Sequence, residues 1–348
     1  MTFVQVYYTL FICMDVLQLL KQKQFKFEKA YGQNFITDKN LLKSIVADSG
    51  ITNNDHCIEI GTGAGTLTKE LCKVANFVTT IEIDESLKEI HQHMFSNVQY
   101  SVDDNANFML SKDNNTPNLR CDSSNQNNPI NTNSIHSSTT LYSHEPSSNN
   151  QIIHNLRIVY GDFLKIDKIN LHNNLSYKVV ANIPYYITTP IIFDLLQTSN
   201  PPQSMTLMVQ KEVALRITAK PNTAEYGVLA TICQLLTDTK INRFVPSTVF
   251  TPRPKVDSAI ITLHLKSTTY HQNLPIIKLI HTAFGMRRKT LVNNILSKYP
   301  LSRSQIEQSI NQIGLDSKVR GEVLTIEQYK QLAQILVDRH PPHTQATL

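Results

Sequence analysis

At 348 residues and 41% hydrophobic content, the chain can bury a real core and has room for two domains, which excludes a wholly disordered or fibrous protein. Lys and Arg exceed Asp and Glu by 33 to 28, a net charge of +5 that permits an anionic partner without requiring one. Five scattered cysteines (Cys13, Cys57, Cys72, Cys121 and Cys233), never spaced C-x-x-C, exclude a disulfide framework and a zinc site and point to a reducing, cytoplasmic compartment.

The first stretch, MTFVQVYYTLFICMDVLQLL, is apolar, but it lacks a basic leader, is short for a bilayer span and meets Asp15. Residues 1–24 are therefore read as an N-terminal extension, with Met14 a second candidate start and no membrane association expected. From Cys57 to Leu265 short β-branched runs alternate with amphipathic segments. The runs HCIEIG, FVTTIEID, LRIVYGD, YKVVANIP, MTLMVQ, INRFVP and SAIITLHL read as strands. Between them GTLTKELCKVA, ESLKEIHQHMF, TPIIFDLLQTS and YGVLATICQLL read as helices. This alternation predicts an α/β, doubly wound, mostly parallel sheet over residues 25–268. Residues 103–151 hold 12 Asn, 9 Ser and three prolines, too little apolar surface to offset ordering entropy, so a disordered insertion is expected there.

After Pro275 no strand pattern remains. Helices are expected at Ile276–Tyr299, Arg303–Ile313 and Ile326–Arg339, the last two opened by the capping boxes Ser302-x-x-Gln305 and Thr325-x-x-Gln328. Residues 269–340 are thus read as a small all-helical domain and 341–348 as a tail.

CIEIGTGAGTLT sets Gly61, Gly63 and Gly65 between a strand and a helix, where glycine lets the backbone approach a ligand. No Gly-Lys-Ser/Thr follows, so this is not a phosphate-gripping Walker loop. Glu82 ends the next strand about twenty residues on, the place for a carboxylate on ribose hydroxyls, and Asp162 ends the one after, suited to an adenine amine. Together these fit S-adenosylmethionine better than a dinucleotide, for which the later strands offer no second glycine loop. The next strand stops at Asn182-Ile183-Pro184-Tyr185. Pro184 fixes its own φ and biases Ile183 away from the helical region, holding the Asn182 amide and the Ile183 carbonyl as acceptors. Tyr185 offers a face for a planar base. An exocyclic aromatic amine is a poor nucleophile until its N–H groups are hydrogen-bonded and its lone pair is released from the ring, and this set supplies those acceptors.

The blocks GQNFITD (32–38), EIGTGAGTLT (59–68), NIPY (182–185), QKEVALRI (210–217), FTPRPKVDSA (250–259) and AFGMRRKTLVNN (283–294) closely resemble the bacterial small-subunit ribosomal RNA adenine dimethyltransferases of the KsgA type. The resemblance runs from about Phe25 to Arg339 and implies S-adenosylmethionine-dependent N6-dimethylation of two adjacent adenines near the 3′ end of small-subunit rRNA, on an immature ribosomal subunit, by a monomer. It assigns Asn34, Ile36, Gly61, Glu82, Asp162 and Asn182 to the cofactor, Asn182 through Tyr185 to the target adenine, and Phe250 to a second aromatic wall. Ile36 and Ile183 stand where the family usually has leucine, and Thr62 where it commonly has proline. Lys211, Arg216, Arg253, Lys255 and the triplet Arg287-Arg288-Lys289 are expected to meet RNA phosphates, the triplet near a helix start and facing solvent. Three other readings stay open: a large-subunit rRNA adenine methylase of the macrolide-resistance type, a non-catalytic assembly or transcription factor on this fold, and a DNA adenine methylase, for which no sequence-reading module is visible.

Overall fold

The computed structural model describes residues 16–28, 31–96, 98–104, 139–142, 153–172 and 175–339. In chain order the elements begin with α1 (Val16–Gln22), β1 (Phe35–Ile36), α2 (Lys39–Ser49), β2 (His56–Ile60), α3 (Thr66–Leu71), β3 (Phe77–Glu82) and α4 (Lys88–Met94). There follow β4 (Val98–Asp104), β5 (Thr139–Tyr142), β6 (Ile153–Tyr160), α5 (Ile169–His172), β7 (Tyr177–Asn182), α6 (Thr188–Gln197), β8 (Ser204–Gln210) and α7 (Lys211–Ile217). The last are α8 (Val228–Leu236), β9 (Thr237–Val245), β10 (Phe250–Thr251), β11 (Ser258–Leu265), α9 (Leu274–Ala283), α10 (Leu291–Leu296), α11 (Arg303–Gln312) and α12 (Ile326–Arg339). The caps are built from the sequence: Asp38 accepts the Asn40 and Leu41 amides at the start of α2, and Gly50 takes the left-handed conformation that ends it. Both expected capping boxes form, at Ser302/Gln305 and Thr325/Gln328.

Nine strands make one sheet in the order β5-β4-β6-β3-β2-β7-β8-β11-β9. From β4 to β8 every pairing is parallel, while β5, β11 and β9 add antiparallel edges. The chain leaves β2 toward β3 and returns on its other side as β7, which makes the gap between β2 and β7 the switch point where α/β sheets bind ligands. A two-stranded pair, β1 with β10, sets Ile36 against Phe250.

Side chains alternate across the strands into two apolar layers. On one face Ile58 and Val179 join Ile191 and Leu195 of α6, Ile232 of α8, and Ile277, Ile295, Ile306 and Leu332 of the C-terminal helices in a single cluster. The C-terminal helices therefore share a core with the sheet. On the other face Cys57 and Val180 pack with Ile45, Leu71, Phe95 and Phe250. Helix α1, within the expected extension, buries Leu19 and Leu20 with Phe35, Ala64 and Ile90, so its described part braces the glycine loop. Cys57, Cys72 and Cys233 are buried free thiols; burial pushes Cys72 and Cys233 up to about 12, which leaves them unreactive. Among the described residues no helix is long and apolar enough to cross a membrane.

Two expectations are corrected. Most of residues 103–151 lies outside the described residues, but Asp103 and Asp104 end β4, and Thr139–Tyr142 pairs antiparallel with it. Thr139, Thr140, Leu141 and Tyr142 have strand propensity inside a polar background, and backbone pairing needs no apolar run. The strands β4 and β5 thus lie between β3 and β6 in sequence, yet β6 still pairs beside β3. The second correction concerns the single helix expected at Ile276–Tyr299. It is two helices, α9 and α10, separated by the turn 284–290. Thr290 caps α10, and the buried Asn294 side chain donates to the Ala283 (2.8 Å) and Met286 (3.3 Å) carbonyls and accepts from the Met286 amide (3.1 Å). One amide side chain thereby satisfies backbone groups that a continuous helix would have paired.

Beneath the glycine loop runs a buried chain of hydroxyls. Thr62 Oγ1 lies 2.7 Å from Thr80 Oγ1, which donates to Glu59 Oε2 (2.8 Å), and Thr68 donates to the same oxygen (2.5 Å). Burial pushes the Glu59 carboxyl up to about 8 despite those two donors. Its folded value lies above its unfolded one, so its contribution to stability is complete below about pH 4.5 and is lost as pH rises through about 8. In Glu59→Gln that titration disappears. Thermal melts at pH 6 to 9 should show Tm of the variant gaining on the parent as pH rises, whereas parallel curves would mean that Glu59 is ionised at neutral pH.

Candidate active site

Strands β6, β3, β2 and β7 lie side by side and parallel, so their carboxyl ends deliver Asp162, Glu82, the loop from Gly61 and Asn182 to one edge in that order. Gly61, Gly63 and Gly65 all have positive φ (83°, 54° and 79°). A Cβ on Gly65 would stand 2.7 Å from the Phe95 ring and one on Gly63 3.2 Å from Phe35, so both φ and space demand glycine. Glu82 is buried under this loop. Its Oε2 accepts the Gly63 amide (2.7 Å) and its Oε1 the Asp84 amide (2.9 Å). Burial nevertheless pushes its carboxyl up to about 7.

Asn182 is half-buried at the end of β7. Its Nδ2 donates to the Asn34 carbonyl (3.0 Å), while no donor among the described residues takes its Oδ1. The backbone passes through Ile183 to Pro184 (φ −54°, ψ 129°) and into a single 3-10 turn at Tyr185. Tyr185 is half-buried, with its hydroxyl 2.6 Å from Ser258 Oγ, which fixes the ring. Asn34 in turn donates to the Gly32 carbonyl, and Gln33 donates to Asp84 (2.5 Å), so the 32–36 segment is tied both to β7 and to the loop after Glu82. Asp162 is partly exposed, accepts the Leu164 amide (3.1 Å) and pairs with Lys165 at 3.3 Å, so it also caps its own turn. Ile36 is buried on β1, and its carbonyl accepts the Thr66 hydroxyl.

Phe250 departs from expectation. Its ring is 3% exposed and packed in the second apolar layer, because pairing of β10 with β1 turns it inward against Ile36. Buried there, it presents no open face to a base. A cavity of about 530 Å³ lies outside Asp84, lined by Lys23, Phe25, Tyr31 and Glu89 among others, but neither Glu82 nor Asn182 lines it. The candidate site is the open crevice above the strand ends.

One positioning residue escaped the sequence reading. His91, almost wholly buried on α4, lies 2.7 Å through Nε2 from the Gly63 carbonyl and 2.6 Å through Nδ1 from the Tyr160 hydroxyl. Burial holds it neutral, with its pKa pushed down to about 4. Nε2–H therefore donates to the carbonyl and Nδ1 accepts from the tyrosine, tying the glycine loop to the end of β6. In the sequence His91 falls within EIHQHM, which reads as a polar helix face, and no spacing marks it.

The basic residues divide into two groups. Arg216, Lys255, Arg288 and Lys289 are exposed with no side-chain partner among the described residues. Lys211 Nζ sits 5.2 Å from the Phe244 ring centroid, and Arg253 donates to Ser247. The triplet lies in the turn 284–290, just before the start of α10, where Asn294 holds the chain out of helix. All three cations are exposed, as expected, but Arg287 also reaches Glu322 (3.7 Å) and the Ala224 carbonyl and braces that turn.

The chain matches the family model described as ribosomal RNA adenine dimethylase over residues 24–338. The ribosomal RNA small subunit methyltransferase A of Clostridium botulinum is 36% identical over 330 residues, covering 93% of this chain and 99% of that protein. Its counterpart in Listeria welshimeri is 35% identical over 339 residues, covering 92% and 94%. Among solved structures, a dimethyladenosine transferase from Plasmodium falciparum aligns with a TM-score of 0.61 at 21% identity, covering 86% of this chain and 95% of that one. The 23S rRNA methyltransferase ErmE aligns at 0.57, also at 21% identity, covering 87% and 99%, and both share the fold. A match spanning the sheet, the Asn182 turn and the C-terminal helices means that the chain belongs to the ribosomal RNA adenine dimethylase family.

Proposed function

We propose that the protein uses S-adenosylmethionine to dimethylate N6 of two adjacent adenines near the 3′ end of small-subunit rRNA, acting as a cytoplasmic monomer on an immature subunit. The observation that carries the chemistry is the Asn182 amide, held through Nδ2 by Asn34 with Oδ1 unclaimed at the carboxyl end of β7. The relatives at 35–36% identity are named for the small subunit, which favours that substrate.

The residues present fit the cofactor. Close backbone approach at Gly61 and Gly63 and the buried Glu82 carboxylate form a cradle for an adenosyl group, with Asp162 one strand further along for its adenine. Bound there, S-adenosylmethionine supplies an electrophilic methyl group. Asn182 Oδ1 and the Ile183 carbonyl accept the N6 protons of the target adenine, drawing the nitrogen toward tetrahedral geometry and freeing its lone pair. Tyr185, anchored at its hydroxyl, stacks the base. The proton released from N6 passes to water, so no side-chain base is needed. Residues 269–340, with Arg288 and Lys289, and the exposed Arg216 and Lys255 line the RNA approach.

Offering labelled S-adenosylmethionine to immature small and large subunits and mapping the modified nucleotide tests the assignment; label on the large subunit alone would overturn it. Asn182→Ala should slow methyl transfer by roughly 10²-fold or more at saturating substrates, and near-wild-type turnover would remove its assigned role. Glu82 is pushed up to about 7 without cofactor, and ribose hydroxyls donating to it favour its ionised form. Cofactor affinity, followed by calorimetry, should therefore tighten as pH rises from 6 to 8, with proton release, and Glu82→Gln should abolish the trend. Replacing Arg288 and Lys289 with Ala should lower the log–log salt slope of RNA binding by about 0.7–0.9 per lost phosphate contact and leave cofactor affinity unchanged. Arg287 is left intact because it braces the turn.

A further inference from the structure

Past Asn182, the carboxyl edge of the sheet continues through β8 and β11 to β9, the outer strand. There Phe244 is 53% exposed, one residue before the end of β9. A lone exposed phenylalanine on an edge strand is ordinary, but three observations single this one out. A bulge lies between Ile260 and Ile261 of β11: Ile261 pairs with Ile241 but Ile260 with Arg243, so Asn242 is the extra residue. The insertion shifts Phe244 from the face it would share with Lys240 to the face of Ile241 and Ala259, the kind of re-aiming that bulges perform. On that face Lys211, at the head of α7, places Nζ 5.2 Å from the ring centroid. The strand end is also held rigid, because Arg243 grips Asp48 with two bonds of 2.8 and 2.9 Å. Ser258, which orients Tyr185, pairs with Val245, the next residue along β9.

We infer that Phe244 and Lys211 form a stacking platform for an unpaired RNA base flanking the target adenine, the ring receiving the base and the ammonium the adjoining phosphate. A fixed ring beside a cation on a positively charged edge is the pairing by which proteins hold single-stranded nucleic acid without reading its sequence. Exposed Lys255, three residues before Ser258, adds to Lys211 the charge that a phosphate backbone requires, and an acidic protein partner would not stack on the ring. The platform rests on the RNA substrate proposed above. It lies three strands from Asn182, about 14 Å at the usual spacing, which places the flanking base beyond the nucleotide next to the target.

The test uses the full chain and an RNA hairpin whose loop carries two adjacent adenines, with 2-aminopurine at successive flanking positions. In the wild type one flanking position should be quenched on binding. Phe244→Val, which keeps strand propensity without the ring, should abolish that quenching and weaken hairpin binding by roughly 5- to 150-fold, with Tm and cofactor affinity unchanged. Phe244→Tyr should restore both. Quenching and affinity that survive in Phe244→Val would overturn the platform, as would a loss matched by a fall in Tm that Phe244→Tyr does not reverse. Methyl transfer by the wild type to small subunits is measured alongside: turnover without platform behaviour sinks the platform alone, and no turnover sinks the substrate reading and the platform with it.

Discussion

The hydrogen bond from Asn182 Nδ2 to the Asn34 carbonyl joins residues 148 positions apart, and the orientation of the Asn182 amide in the crevice depends on it. A primary amide at a strand end can present either its donor or its acceptor, and only an acceptor draws electron density onto an adenine amine. Occupying Nδ2 with a backbone carbonyl forces Oδ1 outward. That carbonyl is in place because Phe35 and Ile36 pair with Thr251 and Phe250, and because Gln33 is tied to Asp84. The N-terminal segment thus works as an orienting clamp for β7 and closes one side of the crevice.

The glycine loop is held from three directions at a cost in buried polarity. Glu59 and Glu82 both lie in the low-dielectric interior beneath it, and burial pushes both carboxyls toward neutrality. Hydroxyls from Thr62, Thr68 and Thr80 and the amide of Gly63 offset part of that cost. A loop whose three glycines all sit at positive φ has few local contacts of its own, so its shape is dictated by these anchors and by His91 gripping the Gly63 carbonyl. The strand ends order the crevice: parallel register places Asp162, Glu82, the loop and the Asn182 amide along one edge, and the same edge continues to Phe244.

The C-terminal helices extend this arrangement because they share an apolar layer with the sheet. Ile277, Ile295 and Leu332 pack in the cluster that holds Ile58 and Val179, so the turn carrying Arg288 and Lys289 is mounted on the same core as the strands. Arg287, bonded to Glu322 and the Ala224 carbonyl, spans from that turn to the loop after α7. Here packing sets the geometry and leaves the outermost cations for solvent.

Strand periodicity, the glycines after β2 and the sequence Asn182-Ile183-Pro184-Tyr185 determined the doubly wound sheet and the end of it where the candidate site lies, because steric rules on φ and alternation of apolar residues act within a few positions. The capping boxes at Ser302 and Thr325 were legible for the same reason. Strand β5, the break between α9 and α10, the inward turn of Phe250 and the engagement of Arg287 were not. Each depends on a partner distant in sequence: β4 for Thr139–Tyr142, the buried Asn294 amide for the turn, β1 for Phe250 and Glu322 for Arg287. His91 is the plainest case. As a sequence element it is one polar residue on a helix, and only the fold, by placing Gly63 and Tyr160 on either side of its ring, makes it a neutral hydrogen-bonding bridge.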